Sequence, residues 1–151
     1  MTHEDYMRLA LEEGKLALAT GDVPVGCVIV SPDGNVIGRG HNRREADHSA
    51  LAHAEVEAIR QACDTLGSWR LHDCTMYVTL EPCPMCAGAI INSRISNLWY
   101  AAKDEKAGAC GSVLNLFEER FNHKPAIRSG LLREECTALL QDFFTSLRER
   151  E

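Results

Sequence analysis

No stretch of roughly eighteen consecutive apolar residues, the least that spans a bilayer as a helix, occurs in the sequence. A basic-then-apolar leader is missing too. The opening MTHEDYMRLALEEGKLALAT sets acidic residues early and then follows a helical apolar rhythm. Together these absences predict a cytoplasmic protein with no membrane partner. Positive charge is in short supply, with 16 Lys and Arg against 22 Asp and Glu and a net charge of −6. That balance argues against a surface coated in basic residues for nucleic acid, while leaving room for a local basic patch. No internal repeat, low-complexity tract or linker interrupts the chain. Residues 1–151 therefore read as one domain, long enough to bury a single substantial core and too short for two.

Cysteine, by contrast, is plentiful: it stands at positions 27, 63, 74, 83, 86, 110 and 136. An odd count of seven without a leader points to reduced thiols and metal ligation rather than a disulfide framework. Residues 3–20 carry apolar positions at helical spacing (Tyr6, Leu9, Ala10, Ala17) and stop before Gly21. VGCVIVSPDGNVIGRGHN reads as two strands joined at an Asp-Gly turn. The polar loop NRREADHSAL leads into a helix, AHAEVEAIRQACDTLG, with Gly67 as its stop. A strand (TMYVTL), a helix from Pro82 to about Ser93 and a strand (NLWYAA) come next. The glycine-containing loop KDEKAGACGS, a short helix near VLNLFEE, the loop RFNHKPA and a C-terminal helix from about Arg133 complete the chain. A hairpin followed by helix–strand–helix–strand predicts an α/β layer fold with a mixed sheet.

The segment EPCPMCAGAI sets Cys83 and Cys86 three positions apart behind Pro82, which is suited to an early helical position because its missing N–H has no intrahelical partner to lose. In a first turn the two side chains share a face, and the helix N-terminus favours their thiolates. So held, they form half of a zinc site. Alone, the Cys-x-x-Cys equally fits a redox pair or two core cysteines. The segment LAHAEVEAI shifts the balance, because His53 opens the other helix and supplies an imidazole as third ligand. Three protein ligands leave the fourth tetrahedral position to water or hydroxide, the pattern of a catalytic zinc site, and zinc lowers the pKa of that water to roughly 7. Glu55 is too near His53 in sequence to be a natural fourth ligand and is placed instead to carry protons beside the water. A lone His53 reads as a satisfied histidine, and a lone Glu55 as a solvated helix face. With Pro-Cys-x-x-Cys thirty residues on, beyond one strand, they form the signature of the zinc nucleobase deaminases. Cys27, Cys74 and Cys110 have no spacing that pairs them with the motif, so a closed four-ligand structural site is the weaker expectation.

Over nearly its whole length the sequence resembles the bacterial tRNA-specific adenosine deaminases of the cytidine-deaminase-like superfamily. VPVGCVIV with IGRGHN is similar to the family's first hairpin, and LAHAEVEAIRQA and TMYVTLEPCPMCAGAIINSRI to its zinc-bearing segments. DEKAGACGSVLNL, RFNHKP and EECTALLQDFF resemble its later loops and final helix. These later stretches favour the tRNA enzyme over relatives that act on free bases. Two departures stand out: SALAHAE where the family often has Pro-Thr-Ala before its His-Ala-Glu, and Cys27 where alanine is more usual.

The resemblance implies a three-layer α/β/α fold on a central five-stranded mixed sheet. It implies hydrolytic deamination of adenosine to inosine at the wobble position of a tRNA anticodon, through zinc-activated hydroxide. His53, Cys83 and Cys86 would hold one zinc ion per subunit, and Glu55 would shuttle the proton. Asn42 matches the asparagine that reads the base edge, although its spacing also suits a turn residue; Ala54 is carried over to the substrate side in the same way. Asp104, Lys106, Asn115, His123 and Phe144 match anticodon-contacting positions. Each also has an ordinary reading as loop, solvated charge or core packing. The implied partners are a tRNA anticodon stem-loop and a second copy of the chain in a homodimer. The clusters NRRE, KDEK, NHK and SLRER would gather positive potential at the mouth of the site. Two other functions compete: a deaminase of a free base or nucleoside, and a non-enzymatic module with structural zinc.

Overall fold

Thr2 starts the first helix in a closed capping box: its hydroxyl accepts the Asp5 amide at 3.1 Å, and the Asp5 carboxylate accepts the Thr2 amide at 2.8 Å. The structure, a computed structural model, describes residues 1–150. Helix α1 spans His3–Lys15, and the last turn expected to continue it tightens into a 3-10 segment, Leu16–Thr20, closed by Gly21 at φ 74°.

Strands β1 (Gly26–Val30) and β2 (Val36–His41) pair antiparallel across the Asp-Gly turn. A short helix, α2 (Arg44–Asp47), lies inside the stretch read as a polar loop. Helix α3 covers Ala54–Leu66 and stops at Gly67 in the left-handed region. Then come β3 (Thr75–Leu80), α4 (Pro84–Ser93) and β4 (Asn97–Ala102). A single 3-10 turn, Leu116–Glu118, stands where a short helix was expected, and β5 (Ala126–Ser129) precedes α5 (Arg133–Glu149). The sheet has five strands in the order β2-β1-β3-β4-β5, antiparallel on the hairpin side and parallel from β3 to β5. It is the mixed five-stranded sheet that the resemblance implied. Its β5 was not legible in the residues themselves: Ala-Ile-Arg-Ser is a largely exposed edge strand with no alternation to mark it.

Alternation along the inner strands separates the two faces. Cys27, Ile29, Met76, Val78, Leu98 and Tyr100 pack against Ala54, Ala58, Ala62, Ala87 and Ile90 of α3 and α4. Val28, Val30, Tyr77 and Ala101 face the other way, toward α1 and Cys136 of α5. The layers are thus helices, sheet, helices. Small residues let α3 lie close on β2: a side chain at Gly40 would collide with the Ala54 carbonyl and the Ala58 amide. That contact fixes the height at which α3 begins, and with it the position of His53.

One boundary differs from expectation. Helix α4 begins at Pro84, with Cys83 as its N-cap in extended conformation (φ −75°, ψ 173°), not at Pro82. A residue ahead of proline is pushed out of the helical region, so Pro84 forbids Cys83 from joining a turn begun earlier. Pro84 itself takes the first helical position, where its missing N–H costs nothing. Among the described residues, no helix is long and apolar enough to cross a membrane.

Candidate active site

Strand β3 runs up the middle of the sheet and delivers Glu81, Pro82 and Cys83 at its end, where α4 turns back. Helix α3 starts at the same end, with His53 as its N-cap (φ −81°, ψ 153°). The two helix N-termini therefore converge, and His53 Nδ1 lies 3.6 Å from Cys83 Sγ and 3.6 Å from Cys86 Sγ. All three ligand atoms fall within 4.8 Å of one another. Among the described residues no fourth His, Cys, Asp or Glu joins this group; Cys27, Cys74 and Cys110 stay outside it. The donor set fits zinc. Bonds of about 2.3 Å to sulfur and about 2.0–2.1 Å to nitrogen at a tetrahedral angle give an N···S edge of about 3.5–3.6 Å. Cys86 is buried while His53 and Cys83 are half-buried, so the group faces outward on one side.

The electrostatics of the group follow from this crowding. Cys83 is pulled down to about 4, first by its hydrogen bond with Cys86 and then, against burial, by the bond to His53. Cys86 is pushed the other way by its bond with Cys83 and by burial. His53 is raised, mainly by its hydrogen bond to Cys83. Two helix N-termini add positive potential at the same point, which favours thiolates. Glu55 stands in the first turn of α3, 4% exposed, and burial pushes its carboxyl up to about 7. A carboxyl poised there can both accept and give a proton near neutral pH.

Asn42 follows β2, and its Oδ1 accepts the Ala54 amide at 2.9 Å, tying the hairpin to the start of α3. The side-chain amide is left to donate elsewhere. Ala54 itself is fully buried beneath the cluster. The segment that departs from the family pattern forms a tight turn in which the His53 amide donates to the Leu51 carbonyl at 2.8 Å and Ala52 is buried. Cys27 is fully buried on β1 within the core.

The loop after β4 borders the same end of the sheet. Asp104 Oδ1 accepts the amides of Lys106 and Ala107 at 3.0 and 3.2 Å, and Lys106 is exposed. Asn115 caps the 3-10 turn, accepting the Phe117 amide at 3.1 Å. Other expected contacts lie elsewhere. His123 Nε2 donates to the Ile95 carbonyl at 2.5 Å, beyond the far end of α4, about 15 Å of helix rise from the cysteines. Phe144 projects from α5 on the opposite face of the sheet, 41% exposed and edge-on to Phe143. The basic clusters divide likewise: Lys124 is beside His123, and Arg43 is held by Asp47 at 2.9 Å.

Glu81 escaped the sequence reading. It is 2% exposed, and its two oxygens accept the amides of Asp104, Cys110 and Ser112 and the Ser112 hydroxyl. The available sign was an acidic residue closing an apolar buried strand just before Pro-Cys.

Comparison with known proteins places this arrangement. Residues 1–148 match the family described as MafB19-like deaminase. A tRNA-specific adenosine deaminase of Bacillus subtilis is 48% identical over 100% of this chain and 94% of its own. A solved structure from a study of A-to-I editing by tRNA:A34 deaminases superposes with a TM-score of 0.86 at 43% identity, covering 89% of this chain and 98% of that one. A guanine deaminase from Nitrosomonas europaea superposes with a TM-score of 0.83 at 25% identity, over 94% of this chain and 84% of its own.

Proposed function

Because this chain belongs to the family of the tRNA-specific adenosine deaminases, we propose that it converts adenosine to inosine at the wobble position of a tRNA anticodon. The observation that carries the chemistry is the convergence of His53, Cys83 and Cys86 with a protonatable buried Glu55 beside them. The identity of 48% over the whole chain, against 25% with the guanine deaminase, carries the substrate.

His53 Nδ1, Cys83 Sγ and Cys86 Sγ are the atoms that would hold the metal. When bound there, zinc supplies the Lewis acidity that makes water reactive near neutral pH. The target base has to leave its stack to enter, which a single-stranded anticodon loop allows at low cost. Glu55 takes a proton as water adds to carbon six of the purine and passes it to ring nitrogen one. It then takes the second proton of that water from the carbon-six hydroxyl and gives it to the departing amino group, so that a carbonyl forms as the C–N bond breaks and adenosine and water yield inosine and ammonia. Asn42, fixed through its Oδ1 to the Ala54 amide, offers its Nδ2 hydrogens to the edge of the base. Asp104, Lys106 and Asn115 meet the neighbouring nucleotides.

His123 and Phe144 reach no part of their own subunit's cluster, and in this reading they serve the RNA across a homodimer. Helix α4 supports a partner there: it carries no charged residue, its outer side offers Met85, Gly88 and Ala89, and a side chain added at Gly88 would meet nothing. The working place is the cytoplasm, where tRNA is found.

The test compares an anticodon stem-loop bearing a wobble adenosine with free adenosine, guanine and cytosine, using purified zinc-loaded protein. Inosine in the stem-loop with little turnover of the small molecules is the expected result. Turnover of a free base with the stem-loop untouched would move the chain to the branch represented by the guanine deaminase.

A further inference from the structure

Glu81 has no task in the mechanism above, yet it is among the most buried charged residues described. Its own amide donates to the Ala102 carbonyl at 2.8 Å, holding the ends of β3 and β4 together. Its side chain does something different. Oε1 accepts the Asp104 amide at 3.1 Å and the Ser112 hydroxyl at 2.5 Å, while Oε2 accepts the amides of Cys110 at 2.9 Å and Ser112 at 3.2 Å. No Lys or Arg pairs with it among the described residues. A buried carboxylate whose partners are all N–H and O–H groups of one loop orders that loop, since releasing it would leave both oxygens unsatisfied.

That loop lies against the cluster. The Ala109 amide donates to the Pro82 carbonyl at 2.8 Å, one residue from Cys83, and the Leu116 amide donates to the Ala109 carbonyl at 2.9 Å. Asp104 and Lys106 sit at one end of the stretch and Asn115 just beyond the other. Gly108 is shaped to the same clamp, because a side chain there would land on the Glu81 carboxylate. Glu81 is thus placed between two halves of the site, two residues from a metal ligand along the chain and bonded in space to the loop that faces the nucleotides.

Resting on the reading given under Proposed function, we propose that Glu81 is a positioning residue. It sets residues 104–112 in the conformation that binds the RNA around the target base, and it takes no part in the reaction at that base. The carboxylate is required as such. In Glu81→Gln, an amide N–H₂ replaces one oxygen and faces N–H or O–H donors, so half of the clamp turns repulsive with no change of size.

The experiment uses the zinc-loaded full chain with Glu81→Gln and Gly108→Ala, the second displacing the carboxylate without altering its charge. Amide hydrogen exchange at 104, 110 and 112 is expected to speed up by about tenfold or more in both. The Kd for the anticodon stem-loop is expected to weaken by about tenfold or more. At saturating RNA, the single-turnover rate stays within about threefold of the parent and zinc per chain is unchanged, the split expected of lost binding rather than lost chemistry. Wild-type exchange protection in both variants would overturn the proposal, as would a large fall in the saturated rate at unchanged affinity. If Glu81→Gln fails to fold, Gly108→Ala and Ser112→Ala carry the same comparison. Exchange needs no substrate, so it judges Glu81 even if the parent protein leaves the stem-loop unedited and the functional reading falls.

Discussion

Glu55 and Glu81 are both almost wholly buried near the same group of His53, Cys83 and Cys86, 4% and 2% exposed, and their surroundings drive them in opposite directions. Around Glu55 burial dominates, and the carboxyl rises to about 7. Around Glu81 burial acts in the same sense, but the Ser112 hydroxyl and the amides of Asp104, Cys110 and Ser112 outweigh it and hold the carboxyl below its ordinary value. Depth of burial therefore does not decide whether a carboxylate titrates; the number of donors aimed at it does. One carboxyl is held where it can take up a proton near neutral pH, and the other is held ionised by the donors of a loop. Asp22, also 2% exposed, belongs with Glu81. Burial opposes its ionisation, but the Glu45 and Ala46 amides at 2.7 and 3.3 Å and the Thr20 hydroxyl at 2.6 Å keep it low.

The sharpest way to break the contrast is Glu55→Gln. It is expected to cut the saturated deamination rate by about 10²–10⁴, the range for loss of a positioned acid–base group, with zinc per chain unchanged by elemental analysis. Loss of metal instead would make Glu55 a ligand. Next in size is the tenfold loss of stem-loop affinity in Glu81→Gln, with its rate at saturation largely kept.

Stability should divide the two residues again. The Glu55 carboxyl binds its proton more tightly in the fold, so its penalty is absent below the ordinary value of 4.5 and grows as pH rises toward about 7. Metal-free Glu55→Gln should therefore gain Tm over the metal-free parent across that window, and calorimetry showing a loss that deepens with pH would reverse the assignment.

Asp22→Asn, farthest from the chemistry, is expected to lose about 1–3 kcal/mol in denaturant unfolding at neutral pH. Because the folded value of Asp22 is depressed, that contribution is present above its ordinary value of 3.8 and disappears as pH falls below it. Parent and variant should converge in acid. An unchanged gap in acid would mean that Asp22 stabilises by packing alone.

The same pair shows what a sequence reveals. His53, Glu55, Cys83 and Cys86 are linked by short spacings at two helix starts, so local rules suffice to group them. The pattern also outlined the hairpin, the long helices and the central strands, whose apolar residues alternate or run unbroken. Glu81 had no such mark, because its partners lie 23–31 positions away in a loop that only the folded sheet brings near. The start of α4 was misplaced because Pro82 was read without Pro84, and β5 was missed because an exposed edge of four residues carries no periodicity. His123 and Phe144 came from resemblance alone, which says that a position matters without saying where the fold places it.

The most direct test is a single-turnover measurement of inosine formation at saturating anticodon stem-loop, with Glu55→Gln and Glu81→Gln run side by side. Glu81→Gln within about threefold of the parent, and Glu55→Gln lower by about 10²–10⁴, is the predicted result. Equal losses in the two variants would contradict the separation of chemistry from loop positioning.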